Sequence, residues 1–326
     1  MNISAFLNFP AAQSWNPIFT REQQRYLSRM VAPVAPLAGM LSKAFTETAK
    51  AAGYVEANRQ IRELPKRLFR KELNLSWNDE ELSRWCESRA QKALAYLRAA
   101  ECTDRPFTVL RQVVAGKRLV ARYGIEMPSL DDHGPLPVLR RLADAAWWRR
   151  QARKIQAREV EGLAIALGRM RRGREIYCSD ESVKRRSAQR HRNRKYLENT
   201  EAENQAGQRY TLAELADLSV SNPRIRRGEL MLRLNGFDEV AVLLGHIREV
   251  WTLTAPSRFH RWTTAGGTVR KNPRYDESTP RKAQQWLSKV FSRIRSALAR
   301  HDVKLYGMRV VEANHDGTPH WHMAVF

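Results

Sequence analysis

The residues best placed to do chemistry are His320 and His322, two imidazoles separated by Trp321 in the segment Thr318-Pro319-His320-Trp321-His322-Met323-Ala324-Val325-Phe326. In an extended strand the side chains at i and i+2 project from one face. The spacing therefore sets the two imidazoles side by side, where neutral rings can hold one divalent metal ion. Trp321, Met323 and Val325 fall on the opposite face, towards a core. The segment follows an Asp316-Gly317 turn signal and a Val310-Val311-Glu312 strand signal, which together predict a hairpin. If its loop is the three residues 316–318, Glu312 stands opposite His322 and completes a two-histidine, one-carboxylate set, because opposed residues of an antiparallel pair share a face. A two-residue Asp316-Gly317 turn shifts the parity and brings His315 and Ala313 to that face instead. Glu312 is thus the third ligand in one register and His315 in the other. A metal centre on an open sheet face, in a strongly basic chain, points to phosphodiester chemistry on nucleic acid.

Other elements must position this pair. Residues 248–254 read as a strand on which Thr252 and Thr254 share one face and Trp251 and Leu253 the other; the threonines either border the metal site or are ordinary half-buried strand residues. Residues 261–280 read as a polar loop with Gly266-Gly267, Pro273 and Pro280. A helix starts at Thr279-Pro280, with proline in its first turn. Its stripe of Trp286, Leu287, Val290, Phe291, Ile294 and Leu298 repeats at helical spacing and belongs to the core. The glycine pair makes no GxxxxGK[ST] loop, so nucleotide hydrolysis is not indicated.

Upstream, the chain divides by composition into residues 1–138, a helical N-terminal region, and 139–240, a basic helical region that contacts DNA or adapts to it, ahead of the sheet module at 241–326. The first sixty residues carry an aromatic, proline-containing start (Phe6, Phe9, Pro10, Trp15, Pro17). Helical patterning runs from Arg62 to about Leu119, and a loop follows between Met127 and Pro137. A single long helix is expected from Leu139 to Met170, containing Trp147-Trp148. Residues 140–195 hold 18 Lys/Arg against 6 Asp/Glu, a net +12 within a whole-chain excess of +23. Opposite charges usually interleave on a solvated helix; here one sign dominates. Lys184, Arg185, Arg186, Arg190, Arg192, Arg194 and Lys195 are therefore candidates for phosphate contact. Thr211 and Glu214 form a capping box, and the stretch to about Phe237 has the length of two short helices joined at Ser221-Asn222-Pro223. That is either a helix-turn-helix or a helical adaptor packed on the sheet. Arg224, Arg226 and Arg227 can bind phosphate in both cases.

Three stretches resemble the replication gene A protein family of tailed temperate phages and their prophages, members of the HUH (His, hydrophobic, His) endonucleases that start rolling-circle replication. They are the segment from Tyr306 to His322, the segment Val250-Trp251-Thr252-Leu253-Thr254-Ala255-Pro256-Ser257-Arg258-Phe259-His260, and Asn222-Pro223-x-Ile225-Arg226-Arg227-Gly228-Glu229-Leu230-Met231. In order and spacing they are more specific than His-x-His alone, and the resemblance covers roughly residues 140–326. It implies an α+β chain: a mostly helical basic N-terminal region followed by an HUH-type antiparallel-sheet nuclease core. It implies Mg²⁺ or Mn²⁺ at His320 and His322, with Glu312 the preferred third ligand from the hairpin register and His315 the runner-up, and it implies single-stranded and origin DNA as partners, a host replication helicase as a further candidate partner, and the cytoplasm of a bacterial host. It also implies a tyrosine nucleophile on a helix downstream of the His-x-His strand, which attacks to leave a 5′-phosphotyrosine and a free 3′-hydroxyl. Tyr275 and Tyr306 do not match that tyrosine motif. It is expected beyond Phe326, so the sequence reads as cut inside its core.

Composition narrows the alternatives. An excess of 57 Lys+Arg over 34 Asp+Glu favours a polyanion, and no apolar run is long enough to span a bilayer. Cys86, Cys102 and Cys178 are irregularly spaced, which indicates neither a zinc ribbon nor a disulfide framework. Two function classes remain: a metal-dependent DNA nickase, or a DNA-binding protein without catalysis (a prophage remnant) in which the two histidines are structural. An RNA-binding protein fits the charge but not the three motifs.

Overall fold

Helix signals and their caps account for most of the chain. The computed structural model describes residues 20–70, 72–103 and 105–326; the aromatic start read at Phe6 to Pro17 lies outside them. Contacts cluster the chain into two units, 1–168 and 169–326. The division falls inside the stretch 139–240.

In the first unit, α1 (Arg21–Val31) opens at a Thr20/Gln23 capping box and runs through a proline-bearing 3-10 turn into α2 (Ala38–Ala52) and α3 (Tyr54–Glu63). A short hairpin, β1 (Phe69–Arg70) with β2 (Leu73–Asn74), leads to α4 (Asp79–Glu101), capped by Asn78, then α5 (Pro106–Ala121), α6 (Leu130–His133) and α7 (Pro135–Leu142). The single helix expected from Leu139 to Met170 is two, because Asp144 stops one and caps the next. Its carboxylate accepts from the N–H groups of Ala146 and Trp147, opening α8 (Ala145–Ala166). Trp147 and Trp148 are core residues: Trp148 is fully buried, its indole N–H donates to Leu142 O at 2.7 Å, and it meets Trp85, Trp147 and Tyr123 edge to face.

The second unit begins with an irregular turn, then α9 (Asp180–Glu198), the small hairpin of β3 (Glu201–Glu203) and β4 (Arg209–Thr211), α10 (Leu212–Asp217) and α11 (Pro223–Leu244). The two short helices expected here are instead a six-residue helix and a 22-residue one. Proline at the first turn and Asn222 as cap start α11, and it does not stop until Gly245, at φ +67°. Its Phe237 packs on Tyr306 and Phe326 at one end of the sheet.

The sheet has three antiparallel strands in the order β5 (Glu249–Thr254), β9 (Pro319–Val325), β8 (Gly307–Ala313), so the histidine strand is central. Between β5 and β8 in sequence come β6 (Trp262–Ala265), β7 (Thr268–Lys271) and α12 (Pro280–Ala299). The polar loop read across 261–280 is thus partly a hairpin, turned by Gly266-Gly267 with both residues at positive φ. Helix α12, capped by Thr279, covers the apolar sheet face. Leu287 packs with Trp321, Met323 and Val325, and Trp251, Leu253, Trp286 and Phe291 close around them. The chain is α+β.

Candidate metal centre

Alternation on β9 sorts its side chains. Trp321, Met323 and Val325 are buried against α12, while His320 and His322 lie on the other face. On β5, Thr254 pairs with His320 and Thr252 with His322; on β8, Glu312 pairs with His320 and Val310 with His322. The expected opposition of Glu312 to His322 is therefore shifted by one pair. The hairpin loop is His315-Asp316-Gly317 rather than 316–318: Asn314 N–H donates to Thr318 O and Gly317 N–H to Asn314 O, both at 2.8 Å. A three-residue loop needs a left-handed residue at its last position, and Gly317, at φ +82°, takes it. The shift preserves parity, so Glu312 stays on the histidine face.

The three side chains converge. His320 Nε2 and His322 Nε2 are 2.8 Å apart, and Glu312 Oε2 lies 3.9 and 3.8 Å from them. The ligand atoms of all three fall within 4.8 Å of one another, the only such group of histidine, cysteine and carboxylate side chains among the described residues. Burial, with His322 adding to it, pushes the His320 imidazole below its ordinary value, which favours the neutral form a metal requires. Thr252 Oγ1 meets His322 Nδ1 at 3.0 Å. As acceptor, it holds the proton on Nδ1 and leaves the Nε2 lone pair facing the site. Two imidazoles and a carboxylate are a donor set that suits a divalent transition ion. His315, the alternative third ligand, sits in the loop with its ring stacked on Tyr177, 5.6 Å between centroids and 26° between planes.

A second polar pair was not singled out from sequence. His260 Nδ1 meets the buried Asp316 carboxylate at 3.0 Å and its Nε2 meets Ala255 O at 3.2 Å. The bond to Asp316 raises the His260 value above normal. Burial works to raise Asp316, yet His260 and the Thr318 amide hold it below its usual range. The pair ties the hairpin loop to the segment after β5, and the Thr318 hydroxyl donates to Phe259 O at 3.2 Å. The signal was present in the His260 that ends the Thr-Leu-Thr segment and in the Asp316 of the turn, but their meeting needs the sheet.

Neither tyrosine near the motif serves this site. Tyr275 donates its hydroxyl to Ser278 O and is half-buried. Tyr306 meets His246 Nδ1 at 3.1 Å and stacks on Phe326, beyond the opposite end of β9 from His320.

The basic candidates divide by partner. Helix α9 buries none of its residues. Arg185 is paired with Glu181, and Arg194 with both Glu198 and Asp217, which ties α9 to the end of α10. Arg186 bonds Gln189, and Arg192 is exposed. Lys184, Arg190 and Lys195 are exposed, and no ion pair engages them among the described residues. Arg224, Arg226 and Arg227 are exposed in the first two turns of α11, whose first turn contains no acidic residue. Cations oppose the dipole there, so a bound anion would relieve them.

The sequence profile of the bacteriophage replication gene A protein family matches residues 73–326. The chain belongs to this family. It is 40% identical over 190 residues to the replication gene A protein of Escherichia phage 186, covering 58% of this chain and 27% of that protein. Against the replication gene A protein of Escherichia phage P2 it is 37% identical over 193 residues, 57% of this chain and 25% of the relative. A probable replication endonuclease from a prophage-like region of Salmonella paratyphi A is 31% identical over 190 residues, 58% and 23% of the two chains. The chain thus matches about a quarter of the length of these curated relatives. No solved structure matches it significantly. No described helix is long and apolar enough to cross a membrane.

Proposed function

We propose that this chain carries the metal centre and part of the DNA-binding surface of a site-specific replication endonuclease that opens one strand of phage or prophage DNA to start rolling-circle synthesis. The observation that carries the reading is the convergence of Glu312, His320 and His322 on one sheet face, within 4.8 Å, in a chain of this family. The donor set fits a divalent ion, Mn²⁺ better than Mg²⁺ because two of its three ligands are imidazoles, with His320 biased to its neutral form and His322 oriented by Thr252. A bound ion would polarise the scissile phosphate and offset charge gathering on its oxygens. The chain's own residues do the rest. Glu312, the most exposed of the three at 57%, supplies the negative charge that holds the cation. The α9 and α11 cations draw the strand in through its phosphates. The reaction is a tyrosine transesterification that forms a 5′-phosphotyrosine as the bond to the 3′ oxygen breaks and leaves a free 3′-hydroxyl, and its attacking oxygen is neither Tyr275 nor Tyr306, whose hydroxyls are engaged elsewhere. The partners are single-stranded and origin DNA with a host replication helicase, and the compartment is the bacterial cytoplasm.

Fluorescence anisotropy of labelled single-stranded DNA tests this reading. Mn²⁺ should tighten binding by the parent and have no effect on His320→Ala, while both keep the same metal-free, salt-sensitive affinity. Equal metal response in both proteins, or none in either, would return the chain to the class of DNA-binding proteins without a catalytic metal.

A further inference from the structure

Tyr177 adopts a backbone that its side chain opposes. Its φ is +71°, and the Cys178 N–H donates to Ile176 O at 2.9 Å, closing a γ-turn around it. This positive-φ turn is rare and strained for any residue with a Cβ, and glycine would adopt it freely. Yet the position holds a large aromatic. Its ring lies on His315 at 5.6 Å, nearly parallel, while 53% of the residue stays exposed. His315 thus supports the ring from one side, and the exposure leaves the residue reachable from solvent.

The turn is built rather than loose. The buried Arg169–Glu175 ion pair braces its base, and the Asp180 N–H donates to Glu175 at 3.1 Å. Met170 and the Tyr177 carbonyl lie against Gly317, where an added Cβ would meet them at 3.3 and 3.7 Å. Tyr177 is therefore fixed to the tip of the hairpin whose strands carry Glu312 and His320. From His315 to Glu312 is three residues, at most roughly 10 Å of chain because His315 lies in the turn, a span of up to about three stacked nucleotides of one strand. Exposed Arg172 and Arg174 lie in the same turn.

We infer that Tyr177, backed by His315, is a stacking platform for an unpaired base of the single strand entering the metal centre. Every base has a π-face, so such a platform grips without reading sequence. It needs a rigid aromatic reachable from solvent, a short reach from the reacting phosphate, and nearby cations for the backbone. All three are present here. The inference rests on the proposed endonuclease reading for its ligand, but not for its geometry.

The test uses the whole chain and an oligothymidylate carrying 2-aminopurine at one position, moved stepwise along the strand. Stacking should quench the probe at one position or two adjacent ones. Tyr177→Phe should keep the quench. Tyr177→Gly should abolish it and weaken single-strand affinity roughly tenfold, leave Mn²⁺ binding and duplex affinity unchanged, and melt at or above the parent's temperature, since the strain is gone. A Tyr177→Gly protein that binds the strand as the parent does overturns the platform. So does one that loses stability or Mn²⁺ together with DNA, because the ring would then be structural. If Mn²⁺ binds at His320 but no position is quenched, the platform fails and the metal reading stands. Quenching at Tyr177 without Mn²⁺ binding keeps the platform and removes the endonuclease.

Discussion

His320 and His322 present their Nε2 atoms to each other across 2.8 Å, with Glu312 Oε2 on the same side of the sheet. Two imidazole lone pairs at that separation repel unless a proton or a cation lies between them. The strand makes the juxtaposition unavoidable, because residues two apart share a face and β9 is held on both edges by β5 and β8. Trp321, wholly buried under α12, fixes which face that is. The site is thus a consequence of core packing on the other side of one strand.

The register depends on Gly317. Replacing it with alanine puts a Cβ at φ +82°, which costs about 1–2 kcal/mol, and sets that Cβ 3.3 Å from the Met170 terminal methyl. Gly317→Ala should lower stability by that amount in chemical denaturation and weaken metal binding with it. Undiminished stability would mean the loop relocates without strain.

The His260–Asp316 pair should appear in the pH dependence of stability. His260 is raised in the folded state, so its contribution is complete below its ordinary 6.5 and lost as pH rises through the higher folded value. Asp316 is lowered, so its contribution is complete above 3.8 and lost as pH falls through the lower folded value. The stability gap between the parent and Asp316→Asn should therefore be widest between pH 3.8 and 6.5 and narrow on both sides. Thermal melts at several pH values measure it; a gap independent of pH contradicts the pairing.

Helix α9 offers a graded test of DNA contact. Lys184, Arg190 and Lys195 are exposed without ion pairs among the described residues, whereas Arg185 and Arg194 already face carboxylates. Glutamine at the first three should leave folding within about 0.5 kcal/mol of the parent. It should also lower the salt slope of single-strand binding by roughly 0.7 per lost contact. Glutamine at Arg185 and Arg194 should change the slope less. The reverse order would move the DNA surface off the unpaired residues.

How far the sequence reached follows from the range of the interactions involved. The helix starting at Thr279-Pro280, its core stripe and the shared face of His320 and His322 are set by periods of 3.6 and 2 within a few residues, and they are where periodicity puts them. The break at Asp144 was also local, a cap hidden inside an otherwise helical run. The β6–β7 hairpin was obscured because Thr263, Thr264 and Arg270 alternate no apolar face. The loop of the β8–β9 hairpin was misplaced by one residue, although the demand for positive φ at its last position was already written in Gly317. The His260–Asp316 pair and the Tyr177–His315 stack join residues 56 and 138 positions apart, and no local pattern announces them.

Glu312, His320 and His322 together make a single divalent-ion site, which Mn²⁺ titration followed by electron paramagnetic resonance can count and assign. One tight Mn²⁺ per chain is expected, lost in His320→Ala and in His322→Ala, weakened in Glu312→Gln and kept in His315→Ala. Mg²⁺ should compete poorly, because two imidazoles suit it less than oxygen ligands do. Mn²⁺ bound equally by the parent and both histidine variants would mean that these three side chains hold no metal.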